Sequence, residues 1–172
     1  MITSIAQWWR DWRLDAQMRK LARQATAPDA DQRQQAAVAL GAFRDERSAA
    51  ALMPLLQDTH TAVREAATAS LRGHGPAALA ALLEGLKSPS ADVAAASATL
   101  LGDLGDPAAA EPLVVAMKFS ERPVQLAAKR ALIRLGAAAA GALRAGADDP
   151  SPWIRQQFGE LLEQFVGKPG PG

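Results

Sequence analysis

His60 and His74 are the only histidines in the chain, and they are the side chains best suited to proton transfer or metal binding near neutral pH. His60 follows Asp58 in a turn, and His74 stands between Gly73 and Gly75 in what reads as a second turn. Neither has a second ligand at helical spacing, so the donor supply is too thin for a metal site. No Ser-His-Asp relay is laid out along the chain. Gly73-His74-Gly75-Pro76 reads as a turn and not a phosphate cradle, since no Lys and Ser follow it. Asp148-Asp149 pairs two carboxylates but precedes Pro150, where acid charge marks the start of a helix. There is no Cys, hence no disulfide, thiolate ligand or thiol nucleophile, which fits a reducing compartment. No catalytic residue, metal or cofactor is expected.

A second constellation lies near the amino terminus. Residues 3–24 read as a helix capped by Thr3 or Ser4, with Ile2, Ile5, Trp8, Trp9, Trp12 and Ala16 on one side. Leu14, Met18 and Leu21 fall on the other side, and Arg19, Lys20 and Arg23 continue the Trp face. The segment through Gln24 carries a charge of +3 within a chain of net +1. Trp8, Trp9 and Trp12 on a basic helix are suited to a partner groove or a membrane interface, with the membrane surface the less favoured of the two. The plainer reading is a kink near Arg13, both faces then capping the end of the fold.

The elements that must carry these residues are helices. Of the 172 residues 49% are apolar, mostly Ala and Leu, and such residues keep most of their freedom in a helix. No run of about 18 apolar residues is present, and Trp8 to Trp12 interrupt any signal-peptide core, so the expected location is cytoplasmic. From Pro28 onward, Arg33, Arg64, Ala94, Gln125 and Arg155 recur 30–31 residues apart. Seven residues after each stand Leu40, Leu71, Leu101, Leu132 and Leu162; twelve before each stand Leu21, Leu52, Leu82, Leu113 and Leu143. Two unbroken Leu columns over five copies imply a stack of about five helix pairs, none able to bury its face alone. Gly75, Gly105 and Gly136 suit the left-handed residue that stops a helix, and Pro76 and Pro107 follow two of them.

This pattern resembles HEAT repeats, in the short variety known from phycobiliprotein (bilin) lyases, over residues 28–166 and most closely from Asp92 to Met117. The resemblance implies an all-α, right-handed solenoid. It divides the chain into a Trp-rich basic helix and first capping helix at 1–27, the repeats at 28–166 and a loose tail at 167–172. It also implies an Asp six residues before the repeat Arg, the two forming a ladder between neighbouring units, here Asp58 with Arg64 and Asp149 with Arg155. Ser88 with Ala94, and Phe119 with Gln125, lack both partners together. Some HEAT proteins hydroxylate a lysine derivative through His-Glu iron sites, and others excise alkylated bases in an aromatic, basic cleft. Neither residue set is present. Bilin-lyase subunits help attach a chromophore to a Cys on another protein, so an accessory role in such a system is the alternative to a plain scaffold.

In such a stack the second helix of each pair lines the concave side, and positions one, five and eight after the repeat residue face outward. They place Glu65, Arg72, Ala95, Thr99, Gly102, Leu126, Arg130 and Ile133 on a partner-binding face, small and apolar at its centre with Arg72 and Arg130 beside it. An apolar strip rimmed by charge suits a protein partner. Nucleic acid is not expected, since this face has no aromatic residue and no basic stripe along its whole length. The last helix, Trp153 to Val166, carries Phe158, Leu161, Leu162 and Phe165 to seal the final Leu layer. The expected function is a non-catalytic adaptor that binds a protein on its concave face.

Overall fold

Ala and Leu dominate the sequence, and the chain answers with helices that stop at glycine or before proline. The computed structural model describes residues 5–146 and 149–166, with side chains of the first helix described from Leu14 and those of the last up to Phe165. Among these residues there is no strand, and ten α-helices follow one another in five pairs. The expected Thr3 or Ser4 cap, Asp148 and the tail 167–172 lie outside the described residues, as do the side chains of Trp8, Trp9 and Trp12.

The helices fall into two units, Met1–Ala78 and Leu79–Gly172. The first holds α1 (Ile5–Gln24), α2 (Ala30–Leu40), α3 (Glu46–Leu52) and α4 (Thr61–His74). Helix α1 runs unbroken through Arg13, from Ile5 to Gln24. Asp29 caps α2 by accepting from the Gln32 amide, and Asp45 and Ser48 close a reciprocal capping box on α3. The second unit holds α5 (Leu79–Gly85), α6 (Ala91–Leu104), α7 (Ala110–Phe119), α8 (Arg122–Leu135), α9 (Ala140–Gly146) and α10 (Pro152–Val166).

Both Leu columns are buried, from Leu21 through Leu143 in one and Leu40 through Leu132 in the other, with Leu162 half-buried at the end. Each such side chain contributes roughly 2 kcal/mol of burial, so the columns form the spine of each unit. Gly75, Gly105 and Gly136 have φ of 56°, 72° and 56°, the positive region reserved largely for glycine, and each follows a second helix. At the last pair the pattern of small residues is traded: Phe158 is fully buried where other copies carry Ala or Ser, and its ring lies against Gly146, where a Cβ would collide.

The joints between pairs differ from the expected Asp-Arg pairing. Arg33, Arg64 and Arg155 each point their Nη1 at two backbone carbonyls of their own turn. These are Ala27 and Pro28 (2.9 Å each), Asp58 and Thr59 (2.6 and 3.1 Å), and Asp149 and Pro150 (2.7 and 3.0 Å). The Asp side chains reach back to the preceding pair instead. Asp58 accepts from Arg33 Nε at 2.6 Å and Nη2 at 2.9 Å, and Asp149 pairs with Lys118. A fork of two parallel bonds suits a guanidinium, which explains why the backward partner can be an arginine that also clamps its own turn. The Asp58 carboxylate is held down to about 2 from a usual 3.8, first by the Arg33 hydrogen bonds and then by the His60 amide. Asp149 is also lowered, chiefly by Lys118.

Two stability predictions follow from these joints and from one orphaned group. The folded pKa of Asp58 lies below its unfolded value, so its contribution is present above about pH 5 and fades as pH falls from about 4 to about 2. Asp58→Asn should cost about 2 kcal/mol at neutral pH in urea unfolding, and the gap to the parent should close across that acid window. A gap independent of pH would show that the carboxylate charge is not what ties α2 to the next turn. Ser97 on α6 is fully buried and its hydroxyl has no hydrogen-bond partner among the described residues. Its column is otherwise Ala at residues 36, 67 and 128, so Ser97→Ala should raise stability by about 1 kcal/mol in the same experiment.

Candidate partner-binding site

Helix α8 carries the candidate surface of the second unit. Val124, Ala127, Ala128, Ala131, Leu132 and Leu135 are buried, whereas Leu126 and Ile133 remain 43% and 42% exposed. Seven residues separate these two, which places them about 10 Å apart on one side of the helix. Arg122 and Arg130 lie on the same exposed side, and neither has a polar partner among the described residues. Arg134 and Lys129 border it, each already engaged. Arg134 donates to Asp103 at 2.5 Å, and Lys129 to Gln157 at 2.6 Å with Glu160 at 4.0 Å.

Helix α6 runs beside α8 and supplies the small residues. Ala95 and Thr99 are half-buried, and the Thr99 hydroxyl donates to the Ala95 carbonyl at 2.9 Å, so it is spent on its own helix. Gly102 does not belong on the open face, contrary to its assignment from the helical wheel. It is buried, and a Cβ placed on it would lie 2.6 Å from Ala131 Cα and 2.8 Å from Ala131 Cβ. Its role is to let α6 and α8 meet almost backbone to backbone. In the first unit Gly41 has the same wheel position and faces Ser70, whose hydroxyl donates to the Ala37 carbonyl at 2.9 Å. Glu65 and Arg72, the other two residues assigned to the face, are exposed on α4 of that unit.

The histidines have structural surroundings. His74 ends α4 and is buried, not an open turn residue; its Nδ1 donates to the Ser70 carbonyl at 2.7 Å and its Nε2 lies 2.8 Å from Ser48 Oγ. Ser48 is fully buried too, and this Ser-His pair joins α3 to α4 in the interior of the unit. His60 is exposed and lies 3.2 Å from Arg33 Nη2. Among the described residues no group of three His, Cys, Asp or Glu is placed to hold a metal ion. Nor is any helix there long and apolar enough to cross a membrane.

Two hollows escaped the sequence reading, which followed only the second helices. Between α5 and α7 a cleft of about 430 Å³ is lined by Leu83, Leu86, Pro112, Val115 and Phe119, with Val115 54% and Phe119 77% exposed. The signal was available, because Val115 and Phe119 stand four apart on one helix face. In the first unit a cleft of about 720 Å³ is lined by Leu14, Met18, Phe43, Asp15 and Arg47, the last two forming an ion pair.

No curated protein matches this sequence. The fold is similar to that of the complex of CpcE and CpcF of phycocyanin lyase from Nostoc sp. PCC7120. The TM-score is 0.51 with 23% identity, over 88% of this chain and 66% of that one, just under two thirds of its length. It is also similar to human deoxyhypusine hydroxylase in complex with glycerol, at TM-score 0.50 and 22% identity, over 88% of this chain and 74% of that one. At such identities the likeness speaks for the fold alone. The family model for HEAT repeats matches residues 2–72, 18–87 and 79–163, which together span most of the sequence, and the chain belongs to the HEAT-repeat family.

Proposed function

We propose that this protein is a non-catalytic scaffold that holds a protein partner on the open faces of its second helices, with α8 as the principal contact. One observation carries the reading. Helix α8 buries every aliphatic residue except Leu126 and Ile133, and these two share one face with Arg122 and Arg130. Exposed aliphatic side chains grouped on one helix face, with charge around them, are the usual make-up of a docking surface. The non-catalytic part is supported by the burial of Ser48 and His74, which keeps their Ser-His contact away from solvent. Ala95 and Thr99 on α6 extend the surface with short side chains. A cytoplasmic setting belongs to the same reading.

A second reading, an accessory subunit of a chromophore-lyase system, draws its support from the fold likeness to the phycocyanin lyase complex. It is compatible with the first, because an accessory subunit must also dock a protein.

The test is a pull-down from a source lysate with cross-linking, comparing the parent with the double variant Leu126→Asp, Ile133→Asp. Both positions are exposed, so the variant should unfold within about 1 kcal/mol of the parent. It should lose a partner that the parent retains, and a coloured captured complex would favour the lyase reading. Capture of the same partner with equal yield by both proteins removes α8 as the docking face.

A further inference from the structure

Helix α8 carries four cations, Arg122, Lys129, Arg130 and Arg134, and no acid. Two of them are answered inside the unit: Arg134 by Asp103 on α6, and Lys129 by Gln157 and Glu160 on α10. Arg122 and Arg130, which flank Leu126 along the exposed side, have no such partner among the described residues. The free charge of the helix is thus concentrated beside its exposed aliphatic side chains.

That arrangement restricts what can cover it. A purely apolar partner would desolvate two guanidinium groups without pairing them, leaving each buried charge uncompensated. A basic partner would meet like charge at close range. An acidic partner gains paired, hydrogen-bonded contacts where the other two lose, and guanidinium groups take carboxylates in a two-pronged geometry. The spacing restricts its form. Leu126 and Ile133 lie seven residues apart on a helix, the separation of apolar residues at i and i+7 on an amphipathic helix laid alongside. On the far side, Glu160 and Glu163 of α10 are exposed and would repel acid charge, so the acidic part of the partner is confined to α8.

We propose that the face of α8 bearing Arg122, Leu126, Arg130 and Ile133 docks an acidic amphipathic helix, its apolar residues on Leu126 and Ile133 and its carboxylates on the two arginines. This rests on the reading of α8 as the docking face and adds the chemistry of the partner.

The probe is a synthetic helix of roughly 16 residues with Leu at i, i+3 and i+7 flanked by Glu, together with a counterpart carrying Lys in place of Glu. Fluorescence anisotropy with the full chain should show binding of the Glu helix, no saturable binding of the Lys helix, and clear weakening between about 50 and about 300 mM salt. The variant Arg122→Glu, Arg130→Glu should weaken the Glu helix by about tenfold or more while its thermal unfolding stays that of the parent. Equal affinity for the two peptides, or an affinity unchanged by the charge reversal, overturns the proposal. Tighter binding of phosphatidylserine vesicles or of a thymidine oligonucleotide than of the Glu helix also overturns it. A cellular partner lost with Leu126→Asp, Ile133→Asp but indifferent to the charge reversal would sink the acidic assignment and leave the docking face standing.

Discussion

The close approach of α6 and α8 at Gly102 and Ala131 is the constraint on which the second unit depends. With no side chain at Gly102, the two helices come within a distance that a single added carbon would break. Tight contact between second helices sets them side by side, and Arg134 of α8 reaches the Thr99 carbonyl and Asp103 of α6 across the seam. The first helices of the same pairs do not approach so closely, and the cleft lined by Leu83, Val115 and Phe119 between α5 and α7 is the visible result. The same choice of small residues therefore sets both the exposed strip on one side and the hollow on the other. Packing density allows no softer compromise, since interiors are close-packed and a lost or gained methyl is felt.

Electrostatics adds to packing at other joints. The repeat arginine does two jobs in the first unit: Arg33 clamps the carbonyls of Ala27 and Pro28 and also forks onto Asp58 of the next turn. At the last joint the jobs are divided, Arg155 taking the carbonyls and Lys118 taking Asp149. Lys118 Nζ also stands 5.7 Å from the centre of the Phe119 ring and 5.9 Å from that of Phe158. A cation over an aromatic face is stabilised by the ring's quadrupole, so Phe119 in the position of the missing Asp still gives Lys118 something to face.

The stack was legible in the sequence because Leu columns and positive-φ glycines obey the two strongest local rules, burial periodicity and chirality. Leu40, Leu71, Leu101 and Leu132 needed no tertiary information to be placed in the core. Gly102 was misplaced for a physical reason. The register that sent positions one, five and eight outward weighs only the layer beneath a helix; in a stack, a helix is flanked on both sides as well, and position eight meets the next second helix. The partners of Asp58 and Asp149 were also hidden, since an Asp six residues before an Arg in sequence sits beside that Arg's backbone clamp and faces the previous pair. His74 looked like a turn residue because glycines flank it, yet α4 continues through it and Ser48 meets its ring from α3. The exposed strip on α8 was read correctly because Leu126 and Ile133 fall outside the buried phase of an otherwise regular helix.

The lost ion pairs and the exposed arginines of α8 belong to one pattern. Where the repeat position is Arg, as at Arg33, Arg64 and Arg155, its guanidinium is consumed by the turn and is not available to a ligand. In α6 and α8 the same position holds Ala94 and Gln125, and the joint rests on Gly102 and Ala131 instead. Freed from the clamp, cations appear elsewhere on α8, and two of the four, Arg122 and Arg130, stand exposed beside Leu126 and Ile133 without a partner among the described residues. A charge kept on a surface without a partner contributes little to stability, and exposed aliphatic side chains contribute less than buried ones. Folding therefore accounts for Leu132 and Gly102 but not for Arg122, Leu126, Arg130 and Ile133, and the residues that folding does not explain are the ones that sit together on a single helix face.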